Sequence, residues 1–305
     1  MQPRWQGVFP AVTTQMRKDQ SLDLEATARH LQALIESGVD GLVMLGSLGE
    51  SAALEPEEKR RVLTVAKGTA AGRVPVLSGV VETSTAAAIR FAREAEKMGL
   101  DGLMVLPAMI YRADAAETLA HFRAVARSTA LPIIVYNNPL AYVVDITPQM
   151  FVELAPIENL VAIKESSGDV RRITDLRNAV GERYQLFCGV DDLVLESVVL
   201  GATGWIAGMG LAFPKENQYF WDLAIKGDYQ AAREIYAWYT PLLHLDTPVK
   251  FVQYIKLAIQ EAGLGAEWVR APRLPLEGEE RGRILEIIHR GLETRPRIPL
   301  RLKAS

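Results

Sequence analysis

Leu160-Val161-Ala162-Ile163 is an apolar run that ends in Lys164. A lysine at the end of a buried strand loses hydration, so its charged form is disfavoured and its pKa falls. The neutral amine is the nucleophile needed to attack a carbonyl or imine carbon. Lys18, Lys59, Lys67, Lys97, Lys226 and Lys256 lie instead in polar or amphipathic helical or loop contexts. The alternative is a structural lysine paired with Glu165 or Asp191, and the strand context alone does not separate the two. Pro132-Ile133-Ile134-Val135 likewise ends in Tyr136, followed by the turn signal Asn137-Asn138-Pro139. A phenol beside an iminium can carry protons to and from a carbon skeleton. Taken alone, Tyr136 reads more simply as a packed phenol with one hydrogen bond.

A third candidate is Gly46-Ser47-Leu48-Gly49-Glu50, set between an apolar run and a helix-like stretch. Backbone amides in such a loop can cradle an anion, here a carboxylate. Ser47 Oγ could add a hydrogen bond and pass a proton to Tyr136. Neither a phosphate-binding Gly-Lys-Ser/Thr ending nor a Gly-x-Gly-x-x-Gly pattern is present, and an ordinary strand-to-helix turn explains the loop equally well. Asp191 and Asp192 follow Gly189 at a strand end, where they could contact a substrate hydroxyl or amine or cap the next helix. His30, His121, His244 and His289 are scattered over helix-like segments, so no metal site is expected. Cys188, the single cysteine, sits within a strand and reads as inert core.

Eight apolar runs can position these residues: Gly7–Thr14, Gly41–Gly46, Val74–Gly79, Gly102–Leu106, Pro132–Tyr136, Leu160–Lys164, Tyr184–Gly189 and Gly204–Ala207. Their continuous apolarity suits parallel strands covered on both faces. The intervening stretches are amphipathic; Leu24, Leu31, Leu34 and Ile35 share one helical face, and Gly38 follows as a helix stop. Ser37-Gly38-Val39-Asp40-Gly41-Leu42 is echoed by Met98-Gly99-Leu100-Asp101-Gly102-Leu103, and more loosely by Gly201–Ile206. Eight strand–helix units predict an α/β fold, a (β/α)₈ TIM barrel over residues 1–225, whose strand C-termini carry the chemistry. Residues 226–305 read as a C-terminal helical extension packed on the barrel as one structural unit.

The 305 residues carry 34 Lys plus Arg against 37 Asp plus Glu, and no basic block, so a nucleic-acid partner is not expected. No apolar run approaches the ~18 residues of a membrane span. Met1–Pro10 lacks the apolar segment of a secretory leader. A cytoplasmic protein acting on a small-molecule substrate is expected.

Together, Gly46–Glu50, Tyr136-Asn137-Asn138-Pro139, Ile163-Lys164-Glu165-Ser166-Ser167-Gly168 and Gly189-Val190-Asp191-Asp192 resemble the dihydrodipicolinate synthase / N-acetylneuraminate lyase superfamily over nearly the whole chain. The resemblance implies that Lys164 forms a Schiff base, that Tyr136 shuttles protons, and that the Ser47 and Leu48 amides hold the substrate carboxylate. It adds Gly189, Asp191, Ile206 and Gly208 as substrate-binding positions, and implies a homotetramer with no metal or organic cofactor. Three departures stand out, one being Leu48 where those synthases carry a second hydroxyl residue. Ala141 replaces the arginine that dihydrodipicolinate synthases place two positions after the motif proline. The tyrosine normally lent by a neighbouring subunit falls near Met109, with Tyr111 offset by two. The stretches 136–148 and 162–174 resemble the 1-pyrroline-4-hydroxy-2-carboxylate deaminases of hydroxyproline catabolism. Such an enzyme would yield 2-oxoglutarate semialdehyde and ammonia. An aldolase or dehydratase of a 2-oxo-3-deoxy sugar acid is the competing expectation, and a non-catalytic ligand-binding barrel the expectation of another class.

Overall fold

The computed structural model describes residues 3–108 and 111–298. All eight expected strands form: β1 (Gly7–Val8), β2 (Leu42–Met44), β3 (Val76–Val80), β4 (Gly102–Val105), β5 (Ile133–Asn137), β6 (Leu160–Glu165), β7 (Gln185–Cys188) and β8 (Gly204–Trp205). They make one parallel sheet in the order β1-β8-β7-β6-β5-β4-β3-β2. Every strand residue is buried, which is why these segments read as unbroken apolar runs rather than alternating ones.

The first segment is shorter as a strand than the expected Gly7–Thr14, because its backbone changes partner along its length. Phe9 and Ala11 donate to the Trp205 and Ala207 carbonyls (2.8 and 2.9 Å) beside β8. Val12 donates to the Val43 carbonyl (2.8 Å), and Val43 donates to that of Pro10 (3.0 Å). Proline supplies only an acceptor, so residue 10 can bond β2 while interrupting a regular ladder. The segment thus joins both edges of the sheet, with a parallel bridge between Ala11 and Val43. The architecture is α/β and TIM-barrel-like.

The repeated turn has a shared physical role. Gly38 and Gly99 take positive φ (90° and 72°) just past helices Leu24–Glu36 and Thr85–Lys97. Asp40 and Asp101 then each accept a 2.8 Å bond from a backbone amide of the preceding strand, Val8 and Val76. After β8 come helices Pro214–Ile225, Tyr229–Leu243, Phe251–Glu261 and Gly278–Glu293. Their apolar faces join the same hydrophobic cluster as the strands, for example where Phe220 meets Trp205 edge-on at 6.0 Å. Among the described residues no helix is long and apolar enough to cross a membrane.

Candidate active site

Lys164 and Tyr136 are direct partners in the β5–β6 register, so their side chains leave the sheet side by side. The Lys164 Nζ lies 4.0 Å from the centre of the Tyr136 ring, over its face. Both residues are 6% exposed, close to the core yet reachable from one side. Among the described residues no carboxylate forms an ion pair with Lys164. The expected alternative partners are committed elsewhere. Glu165 accepts from Asn137 Nδ2 (3.0 Å) and from the Ser167 amide (2.6 Å). Asp191 accepts from the Trp205 indole (2.9 Å) and the amides of Gly208 (3.1 Å) and Met209 (2.7 Å). Burial lowers the Lys164 pKa below the ordinary lysine value, against the pull of Tyr142, Asp246 and Asp191.

Lys164 is not the only buried lysine, which corrects the sequence expectation. Lys256, in helix Phe251–Glu261, is fully buried. Its amine donates to Glu50 Oε1 (2.5 Å) and the Trp268 carbonyl (2.6 Å). Lys59 is buried too and pairs with Glu82 (2.8 Å), so what separates Lys164 from the other buried lysines is pairing rather than burial.

The Gly46–Glu50 loop caps β2. Its strain sits at its ends and not at its glycines: Leu45 and Glu50 both have φ of 54°. Such a conformation in residues with a Cβ persists only where the surroundings enforce it, and marks functional sites. The glycines permit close approach instead. A Cβ on Gly49 would stand 2.9 Å from the Leu45 backbone, and one on Gly79 only 2.5 Å from the Leu45 carbonyl oxygen. Glu50 anchors the loop's far end, taking Lys256 on one oxygen and the Arg270 amide (2.9 Å) on the other. Among the described residues neither the Ser47 nor the Leu48 amide finds an acceptor, as an anion cradle requires.

Ser47 does not reach Tyr136 as expected. Its hydroxyl is hydrogen-bonded to that of Tyr142, a residue with no assigned part in the sequence reading. Tyr142 in turn meets the Tyr136 ring edge-to-face at 5.6 Å. Burial raises the pKa of both phenols. The signal for Tyr142 lay in the turn: Asn138 caps Pro139–Tyr142, its Oδ1 accepting from the Ala141 amide (3.0 Å). Its Nδ2 donates to the Tyr136 hydroxyl (3.0 Å). A capped single turn returns its last side chain toward the strand end it left.

The remaining expected positions divide. Gly189 faces the lysine: a Cβ there would lie 2.7 Å from Lys164 Cε and 2.0 Å from Ser166 Oγ. Gly208 lies beside Asp246, whose Oδ1 would be 2.6 Å from a Cβ at that position. Ile206 is buried and donates its amide to the Cys188 carbonyl (2.9 Å). Asp191 has its oxygens occupied, and so holds Gly208 in place; burial pushes its pKa up to about 6. Asp192 pairs with His244 (2.8 Å). Asp246, from the helical tail, was not anticipated, since no sequence pattern links it to Asp191. Burial and the Asp191 charge hold its carboxyl well above the usual range. Met109 lies outside the described residues. Tyr111 is 63% exposed and donates to Glu117 (3.1 Å) in its own chain. Burial pushes the Cys188 thiol up to about 12, as expected of inert core. Among the described residues no cluster of His, Cys, Asp and Glu could hold a metal ion.

Comparison with known proteins agrees with this geometry. The pattern of the dihydrodipicolinate synthetase family matches residues 4–290. A Methanospirillum hungatei protein named 4-hydroxy-tetrahydrodipicolinate synthase is 32% identical over 94% of this chain and 99% of its own length. The structure of a synthase of that name from Methylacidiphilum fumariolicum superposes with a TM-score of 0.90 at 29% identity, covering 95% of this chain and 97% of the other. A chloride-inhibited dihydrodipicolinate synthase from Acinetobacter baumannii, solved complexed with pyruvate, gives 0.88 at 28% identity over 94% and 98% of the two chains.

Proposed function

Because the chain belongs to the dihydrodipicolinate synthetase family, we propose that it is a Schiff-base enzyme acting on a small 2-oxo-acid-like substrate through Lys164. One observation carries the reading: a buried amine that forms no ion pair with a carboxylate among the described residues, set over the face of a phenol at the strand ends. The structure solved with pyruvate is consistent with a 2-oxo acid as ligand. The free amides of Ser47 and Leu48 hold the substrate carboxylate, and Gly189 leaves room for the lysine to reach its neighbouring carbon.

The finer reading is deamination of 1-pyrroline-4-hydroxy-2-carboxylate. Two features favour it over the activity named for the relatives. Position 141 is alanine, so no cation stands there for a second carboxylate. The groups around Lys164 are Tyr142, Asp246 and Asp191, none of them a cation for a second carboxylate, and a protonated Asp246 can donate a hydrogen bond to a substrate hydroxyl. Lys164 attacks C2 of the cyclic imine, and cleavage of the C2–N bond opens the ring to a lysine iminium bearing a C5 amine. Tyr136 takes a C3 proton, and the C4 hydroxyl leaves as water with a proton from a protonated group such as Asp246. Proton shifts move unsaturation to C5. Two waters then hydrolyse the C5 imine to ammonia and aldehyde and the lysine iminium to the 2-oxo group. One water is consumed net, and the iminium serves as the electron sink.

The test is a panel assay of the purified chain. The reading expects ammonia release from the hydroxypyrroline to exceed the other activities by at least ~10²-fold, the range a positioned acid–base group contributes. Greater pyruvate release from 2-oxo-3-deoxy sugar acids, or greater formation of 4-hydroxy-tetrahydrodipicolinate, overturns the deaminase assignment.

A further inference from the structure

Resting on the Schiff-base reading, we propose that Tyr142 links Tyr136 to Ser47 and completes the site's proton relay within one chain. Three contacts place it there. Its hydroxyl is hydrogen-bonded to Ser47, its ring meets Tyr136 edge-on at 5.6 Å, and its backbone ends the turn that Asn138 caps. Asn138 ties the pieces together, because the same side chain caps the turn and donates to the Tyr136 hydroxyl. Val143 follows with φ of 65°, stopping the turn at Tyr142. Burial raises the pKa of both phenols, so each carries its proton when the relay begins.

The relay balances without a stored charge. When the C3–H bond of the iminium breaks, its electron pair forms the enamine double bond and the proton passes to the Tyr136 oxygen. The original Tyr136 proton moves to Tyr142, that of Tyr142 to Ser47, and that of Ser47 to water at its own half-buried side chain, the one residue of the loop that is not fully buried. Tyr142 acts through Tyr136 and is therefore a positioning and relay residue. Tyr111 is not needed for this path, and its hydroxyl is engaged by Glu117.

Two measurements test the relay. In the first, Tyr142→Phe is incubated with pyruvate in D₂O, and methyl hydrogen exchange is followed by NMR. The expected result is exchange slowed roughly 10²-fold, with the borohydride-trapped Lys164 adduct formed to the wild-type extent. Adduct formation shows that the variant is folded, and a residue of purely structural importance would lower both. Exchange within about twofold of wild type overturns the relay. Absence of the adduct in the wild-type chain overturns the Schiff-base reading itself, and the relay with it. In the second, Ser47→Ala and Tyr142→Phe chains are unfolded and refolded together. A path within one chain predicts no recovery of exchange. Recovery toward a quarter or more of wild-type exchange shows that the tyrosine acts across subunits and overturns the single-chain assignment.

Discussion

Replacing Lys164 with methionine lowers turnover by more than ~10⁴-fold, because the change removes the covalent nucleophile and its electron sink together. The same change leaves the fold intact. Lys164 makes no ion pair among the described residues, and burial already works against its charge. An unbranched apolar side chain in that space therefore relieves desolvation rather than orphaning a partner. The expected outcome is an inactive protein with unchanged or slightly raised thermal stability, checked by steady-state assay and differential scanning calorimetry. An inactive but strongly destabilised protein would assign Lys164 a structural role instead.

Lys256→Met has the opposite profile. Lys256 and Glu50 are both fully buried, and their bond ties helix Phe251–Glu261 to the end of the Ser47 loop. Removing the lysine leaves the Glu50 carboxylate with the Arg270 amide and the more distant Arg273 guanidinium at 3.8 Å. Breaking one half of a buried pair typically costs about 3–5 kcal/mol. Denaturant unfolding should show a loss of that size, whereas a loss under about 1 kcal/mol would mean that water or Arg273 replaces the ammonium. Adduct formation at Lys164 should survive at temperatures where the variant is folded. Lys164 and Lys256 are thus told apart by what each substitution destroys.

How legible each part was follows from the range of the interactions involved. The strands could be read because complete burial writes itself as a local apolar run. The pairing of Lys164 with Tyr136 followed from their places at the ends of successive strands, which a parallel register brings together. The length of β1 was not legible, since residues 9–12 divide their hydrogen bonds between two neighbours that lie far apart in sequence. Lys256 looked like a surface lysine because its partner, Glu50, is 206 residues away. Asp246 was hidden for the same reason: its companions, Gly208 and Asp191, belong to other segments. Tyr142 differs, because its turn is local. The Asn-Pro start was visible, but the direction in which a one-turn helix returns its last side chain is set by the Asn138 cap and by Val143.

The central claim is that Lys164 is the covalent attachment point, and reductive trapping reads it directly. The chain is incubated with pyruvate, reduced with borohydride, digested and weighed peptide by peptide. The peptide containing Lys164 should gain the mass of one reduced pyruvate, and the Lys164→Met chain should gain none. An unmodified Lys164 peptide, or an adduct on Lys256 or another lysine instead, would contradict it.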